Sequence, residues 1–145
     1  WGALWSAITE SPWWGHGLGT LRYLFPFYQP VENPLYYKYA HNDWLEALFD
    51  LGGVGFGLLA LLIIYVMIAI ARERIIKTSA FRRSIASCVL ISLGGCLAHA
   101  LVDFPLHIAA VQITFVAVAA IGLSLRFADD KIPREKADYS SGKGP

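Results

Sequence analysis

The chain has 145 residues, of which 56% are hydrophobic, and a formal net charge of +1 at pH 7. This apolar fraction is higher than that of an ordinary soluble domain and indicates an integral membrane protein. The charge is close to zero and no basic stripe is interleaved with aromatic residues, so we expect no nucleic-acid partner.

The sequence begins at Trp1, without an initiator Met or the features of a signal peptide. We therefore expect the C-terminal part of a longer polytopic protein. Cys88 and Cys96 lie on one predicted helix, about 12 Å apart along its axis, which is too far for a disulfide. We interpret both as small apolar helix residues.

The first segment places Trp1, Leu4, Trp5 and Ile8 on one helical face, and Ser11-Pro12 ends the helix. This pattern fits an interfacial helix or the end of a spanning helix. The following loop has glycine at every second position (Gly15, Gly17, Gly19). Such a loop is either a plain turn or a nest of N–H groups that binds an anion.

Residues 20–39 are aromatic and interrupted by prolines, which predicts an irregular loop with at most a turn or two of helix. The aromatic rings could stack on sugars, or form a belt at the bilayer surface. Arg22 and Lys38 are the only Lys or Arg residues among the first 51. Arg22 is therefore a candidate contact for a phosphate-bearing substrate.

His41 stands just before an uncharged run from Leu51 to Ala71. At about 1.5 Å per residue, this run spans the roughly 30 Å hydrocarbon layer of a bilayer. Asn42 is a good N-cap, so His41 should lie at the mouth of the helix. His41 could be an interfacial polar residue without chemistry, or it could move a proton near neutral pH.

The loop 72–83 carries five basic residues and one acidic residue, which predicts a cytoplasmic position by the positive-inside rule. The N-terminal loop, with His41, is then periplasmic. The expected segments are an outer loop (1–50), a first span (51–71), the basic loop (72–83), a second span (84–102), a periplasmic turn (103–105), a third span (106–125) and a disordered cytoplasmic tail (126–145). The predicted fold is all-α, with three transmembrane helices and a periplasmic aromatic loop containing short interfacial helices.

A polar cluster is expected near the periplasmic turn, because His99 and Asp103 share a helical face and His107 follows Pro105. Ionisable groups at membrane depth are often functional. As a zinc site the three residues lack a convincing ligand set, and we predict no metal. We interpret them as a polar cluster that supports the His41 region.

Three features together resemble the bacterial O-antigen ligase and polymerase superfamily, over roughly Pro12 to Phe127. The first is the loop Pro-x-x-Gly-x-Gly-x-Gly (Pro12, Gly15, Gly17, Gly19). The second is a His-Asn pair followed by nine residues and Gly-x-x-Gly (His41, Asn42, Gly52, Gly55). The third is the basic loop with a two-span hairpin that carries Asp-Phe (Asp103, Phe104).

This resemblance implies an inverting, metal-independent and cofactor-independent glycosyltransferase of the bacterial inner membrane. Its donor would be a glycan on undecaprenyl diphosphate, and its acceptor lipid A core, another glycan or a protein. His41 would be the general base, and Asn42 would orient it or cap the helix. Arg22, Asn42, Gly17 and Gly19 would contact the substrate, together with arginines absent from this chain.

Two other classes remain open. In a transporter or channel segment, His99, Asp103 and His107 would line a polar path between helices. In a membrane scaffold, His41 and Arg22 would point apart or into lipid headgroups. An enzyme requires that His41, Arg22 and the glycine loop converge on one cleft.

Overall fold

Helices form every regular element of the computed structural model in the residues that it describes, which are 2–28, 39–76 and 79–127. These residues contain five α-helices and two short 3-10 turns: α1 (Gly2–Glu10), α2 (Leu21–Leu24), the turn Phe25–Phe27, α3 (Asp43–Ile76), α4 (Ala80–His99), the turn Pro105–His107 and α5 (Ala109–Ser124). Half of the predicted aromatic loop (29–38) and most of the predicted tail (128–145) lie outside the described residues.

Within the part of the chain that the structure describes, two helices are long and apolar enough to cross a membrane, namely Asp43–Ile75 and Ala80–His99. The third apolar helix, α5, has 16 residues. At about 1.5 Å per residue it is about 24 Å long, short of the roughly 30 Å hydrocarbon layer. The all-helical fold with two candidate spans agrees with the sequence, while the third span stays a prediction.

The long helices pack at the end where the basic loop joins α3 and α4, which we call the basic end. Their shared core consists of Ile70, Ala86, Val89, Leu93 and Leu125. Many large apolar side chains of the same helices instead face outward (Leu58, Leu61, Leu62, Ile64, Ile91, Ile113, Val116). Such outward-facing apolar side chains on long helices are what lipid contact requires.

A second core lies at the opposite end of α3, which we call the His41 end. It joins α1 and α2 to the first turns of α3 through Leu4, Ala7, Ile8, Leu21 and Phe49. Leu4 and Ile8 of the predicted apolar stripe therefore pack against this chain's own helix. Trp5 remains on the exposed side of α1.

Helix α3 is interrupted at Gly52, whose φ of 62° and ψ of −178° are accessible essentially only to glycine. The interruption removes two helical hydrogen bonds, leaving the carbonyls of Phe49 and Asp50 and the N–H groups of Gly53 and Val54 without helical partners. A Gly-Gly pair permits a bend in a helix, and the bend of α3 lies at Gly52.

The glycine loop replaces all four lost hydrogen-bond partners. Two of its N–H groups donate to α3, from His16 to Phe49 (2.9 Å) and from Gly17 to Asp50 (3.0 Å). Two of its carbonyls accept in return, Pro12 from Gly53 (2.7 Å) and Trp13 from Val54 (3.2 Å). Residues 12–17 and the interruption of α3 thus form one backbone unit.

Close approach of the two backbones explains the glycines on both sides. Gly15 has a φ of 71°, and a Cβ atom there would collide with the backbone of Asp50 and Gly52. A Cβ atom at Gly52 would in turn collide with the backbone of Gly15 and Trp13. The loop is further fixed by His16, whose ring stacks on Phe49 with centroids 4.4 Å apart.

Candidate active site

His41 lies immediately before α3 with a φ of 50°, the one positive value of a non-glycine residue in the described chain. This left-handed conformation is unfavourable for residues with a side chain and is often found at functional sites. The His41 side chain is 60% exposed. Its ring contacts the edge of Phe104, with centroids 4.9 Å apart.

Asp103 lies between two histidines at this end of the helices. Its Oδ1 is 3.5 Å from Nδ1 of His41, and its Oδ2 is 3.6 Å from Nε2 of His99. The predicted polar cluster therefore includes His41, the histidine that it was expected to support. A carboxylate beside Nδ1 favours the proton on that nitrogen and leaves Nε2 free to accept one.

Asn42 anchors His41 to the rest of the fold. Its Oδ1 accepts the N–H of Leu45 (3.0 Å), which is the predicted N-cap of α3. Its Nδ2 donates to the carbonyl of Leu101 (2.9 Å), just beyond the end of α4. The same amide thus starts one helix and holds the hairpin that supplies Asp103.

His107 lies in a second group, apart from His99 and Asp103. Its Nδ1 is hydrogen-bonded to Oδ1 of Asp43, and its Nε2 lies 3.2 Å from Oε1 of Glu46. The hydrogen bond with Glu46 and then that with Asp43 raise the pKa of His107 to about 9, against the effect of burial. His107 is consequently an imidazolium at neutral pH, and it neutralises part of the carboxylate pair.

Arg22 and Gly19 meet His107 around a small cavity of about 170 Å³. Its other lining residues are Leu21, Tyr39 and Glu46. Typical ligand pockets begin near 300 Å³, so this cavity is large enough for a small group only. The cavity brings Arg22 and Gly19 together with His107, but His41, which the expected cleft also requires, does not line it.

Two aromatic rings stand between this cavity and His41, which is not among its lining residues. Tyr39 lines the cavity and stacks on Phe104, with centroids 4.7 Å apart. Phe104 in turn contacts His41. Arg22 and His41 therefore lie on either side of an aromatic pair.

The N–H groups of Gly17 and Gly19 both donate to Asp50, to its carbonyl and to its Oδ2 (2.9 Å) respectively. Asp50 is 6% exposed, and its Oδ1 has no hydrogen-bond partner in the described residues. The glycine loop is thus engaged by a carboxylate of its own chain. The role of Gly17 and Gly19 in substrate binding stays a prediction.

Among residues 2–28, 39–76 and 79–127, no three His, Cys, Asp or Glu side chains are placed to hold a metal ion. Asp43 and Glu46 are members of the polar group that were not among the residues predicted from the sequence. Their spacing of three residues, which puts both carboxylates on one helical face, was the available signal.

The described residues thus form an all-helical structure with two candidate membrane spans and a polar group of histidines and carboxylates at one helix end. Residues 1–60 match the model of the O-antigen ligase family. The match includes the glycine loop, Arg22, His41 and the Gly-x-x-Gly motif, and it confirms the resemblance over these residues, while the basic loop and the hairpin lie outside it. No curated protein and no solved structure matched the chain significantly.

Proposed function

We propose that the chain is part of a membrane glycosyltransferase that transfers or polymerises a glycan carried on undecaprenyl diphosphate. The family match over residues 1–60 and the two candidate spans support this proposal. The observation that carries it is the exposed His41, held in a left-handed conformation beside Asp103 at the start of a candidate span.

In the proposed reaction, Nε2 of His41 accepts the proton of the acceptor hydroxyl as its oxygen attacks the anomeric carbon of the glycan. The bond from that carbon to the diphosphate oxygen breaks, and the lipid diphosphate leaves with the electron pair. Asp103 positions the His41 ring and stabilises the imidazolium that forms. Positioned proton transfer typically contributes about 10²–10⁴-fold.

Arg22 would stabilise the charge that develops on the diphosphate. Its cavity also contains Glu46, whose charge would oppose an anion. The imidazolium of His107 offsets that charge, so a phosphate could approach Arg22. Arginines outside this chain would complete the site.

We place the protein in the bacterial inner membrane, with His41 on the periplasmic side. The support is the basic loop 72–83, which the positive-inside rule assigns to the cytoplasm. The acceptor would be lipid A core in a ligase and another glycan in a polymerase.

The packing of the α4–α5 hairpin supports a transporter or channel less well than it supports a glycosyltransferase. A cavity of about 290 Å³ does lie between α4 and α5. Its lining is apolar or small and contains none of His99, Asp103 and His107.

The test is glycan transfer by the full-length protein in membranes, with lipid-linked glycan as donor and with expression matched between variants. We expect His41→Ala to reduce transfer by two or more orders of magnitude. His99→Ala is a matched control, because His99 is equally exposed and contacts the same carboxylate. Equal activity of the His41→Ala variant and wild type would remove His41 from the chemistry.

A further inference from the structure

A second polar cavity, of about 790 Å³, lies at the basic end between α3 and α4, far from His41. Two arginines and two serines provide its polar lining (Arg74, Arg83, Ser84, Ser87). Its remaining lining residues are apolar or small (Ala71, Ile75, Ala80, Cys88, Leu90). The proposed glycosyl transfer uses none of these residues.

Neither Arg74 nor Arg83 forms an ion pair or a side-chain hydrogen bond with another residue that the structure describes. Arg126, by comparison, pairs with Glu73 at 3.7 Å on the same end of the helices. Ala80 begins α4, so the cavity also lies at the positive end of that helix dipole. The cavity therefore presents uncompensated positive charge.

The lining changes from charged to apolar along α4. Arg83 lies in the first turn of α4 and is followed by Ser84 and Ser87. Leu90 lies seven residues after Arg83. At about 1.5 Å per residue, Leu90 is about 10 Å deeper along the helix. A free anion would contact only the charged part of the lining. A phospholipid has a phosphate close to its acyl chains, so it would contact both the charged and the apolar part.

From this gradient we propose that the cavity binds the headgroup of an anionic phospholipid. The two guanidinium groups would contact the phosphodiester, because Arg donates to phosphate oxygens in a bidentate manner. The Ser87 hydroxyl, which donates to the carbonyl of Arg83 (2.8 Å), would accept from a headgroup hydroxyl, and the Ser84 hydroxyl would donate to or accept from the remaining headgroup atoms. The acyl chains would run along Leu90 toward the exposed apolar surface of the helices. Basic pockets between spanning helices are suited to such headgroups. This inference does not depend on the proposed glycosyltransferase activity.

Native mass spectrometry of the full chain in neutral detergent would measure the binding of phosphatidylglycerol, with phosphatidylethanolamine and inorganic phosphate as comparisons. We expect Arg74→Gln combined with Arg83→Gln to weaken phosphatidylglycerol binding by about 30-fold. Arg72→Gln combined with Arg82→Gln removes the same charge from the same loop outside the cavity. Binding to this control should stay within about threefold of wild type.

Alkylation of the two cysteines gives a second measurement within one chain. Cys88 lines the proposed site, while Cys96 lines the separate cavity between α4 and α5. Bound phosphatidylglycerol should slow N-ethylmaleimide modification of Cys88 and leave that of Cys96 unchanged. Equal weakening by both double variants, or slowing at both cysteines, would show diffuse attraction to the loop and overturn the proposal. Displacement of the lipid by millimolar phosphate would overturn the lipid as the ligand.

Discussion

Raising the pH should destabilise the His41 end of the protein through His107. Asp43 and Glu46 raise the pKa of His107 from its ordinary 6.5 to about 9. A difference of about 2.5 in pKa corresponds to about 3 kcal/mol, and screening of a side chain that is 30% exposed reduces this to about 1–2 kcal/mol. Because the folded-state pKa is the higher one, this stabilisation is complete below about pH 6.5 and is lost as the pH rises through about 9.

Thermal or denaturant unfolding in micelles, followed by circular dichroism from pH 6 to 10, would measure the effect. The free energy of unfolding of wild type should fall by about 1–2 kcal/mol more than that of His107→Gln over this range. Other groups titrate in both proteins, so the difference isolates His107. His99→Gln is the matched control and should follow wild type.

An NMR titration of the imidazole signals gives the same quantity directly. The signal that is lost in His107→Gln should titrate near pH 9 in wild type. Glu46→Gln should lower that midpoint, because the hydrogen bond with Glu46 is the main cause of the raised pKa. This reasoning would be refuted if the free energies of unfolding of wild type and His107→Gln changed in parallel with pH and the imidazole signal of His107 titrated with a midpoint near pH 6.5.

Two further substitutions test how the site is held. Gly52→Ala should destabilise the fold by about 3 kcal/mol or more, since the backbone there is accessible only to glycine and a Cβ atom would meet Trp13. Gly57→Ala is its control, because that position is open, and it should leave the unfolding midpoint unchanged or higher. Asn42→Ala should cost about 2 kcal/mol, because it removes both the N-cap and the hydrogen bond to the carbonyl of Leu101, and Asn42→Asp, which keeps only the capping oxygen, should recover about half of it in the same unfolding assay. A harmless Gly52→Ala or an Asn42→Asp as unstable as Asn42→Ala would contradict the respective explanation.

Local chemistry made much of the His41 end predictable from the sequence. The N-cap at Asn42 and the bend at Gly52 follow from residue types whose backbone preferences are narrow. The nearness of Asp103 to the His41 region also follows, since a short turn returns the hairpin to the same helix end. These inferences need only neighbours in sequence or the geometry of one helix pair.

Tertiary pairing could not be predicted in the same way. Nothing in the spacing of His107 indicates that it would join Asp43 and Glu46 rather than Asp103, because the choice depends on how the turn Pro105–His107 faces α3. The glycine loop is a second example. Its glycines fit an anion nest and a close backbone contact equally well, and only the packed structure shows the contact with α3.

The backbone unit formed by residues 12–17 and residues 49–54 has a consequence for building hybrid proteins. Each segment supplies hydrogen-bond partners that the other lacks, so neither is complete when taken from a different parent. A chimera that exchanges the N-terminal 40 residues with a relative would separate the two halves of this backbone junction. Exchange of both segments together would preserve it, which makes the pair a single module although 31 residues separate them in the chain.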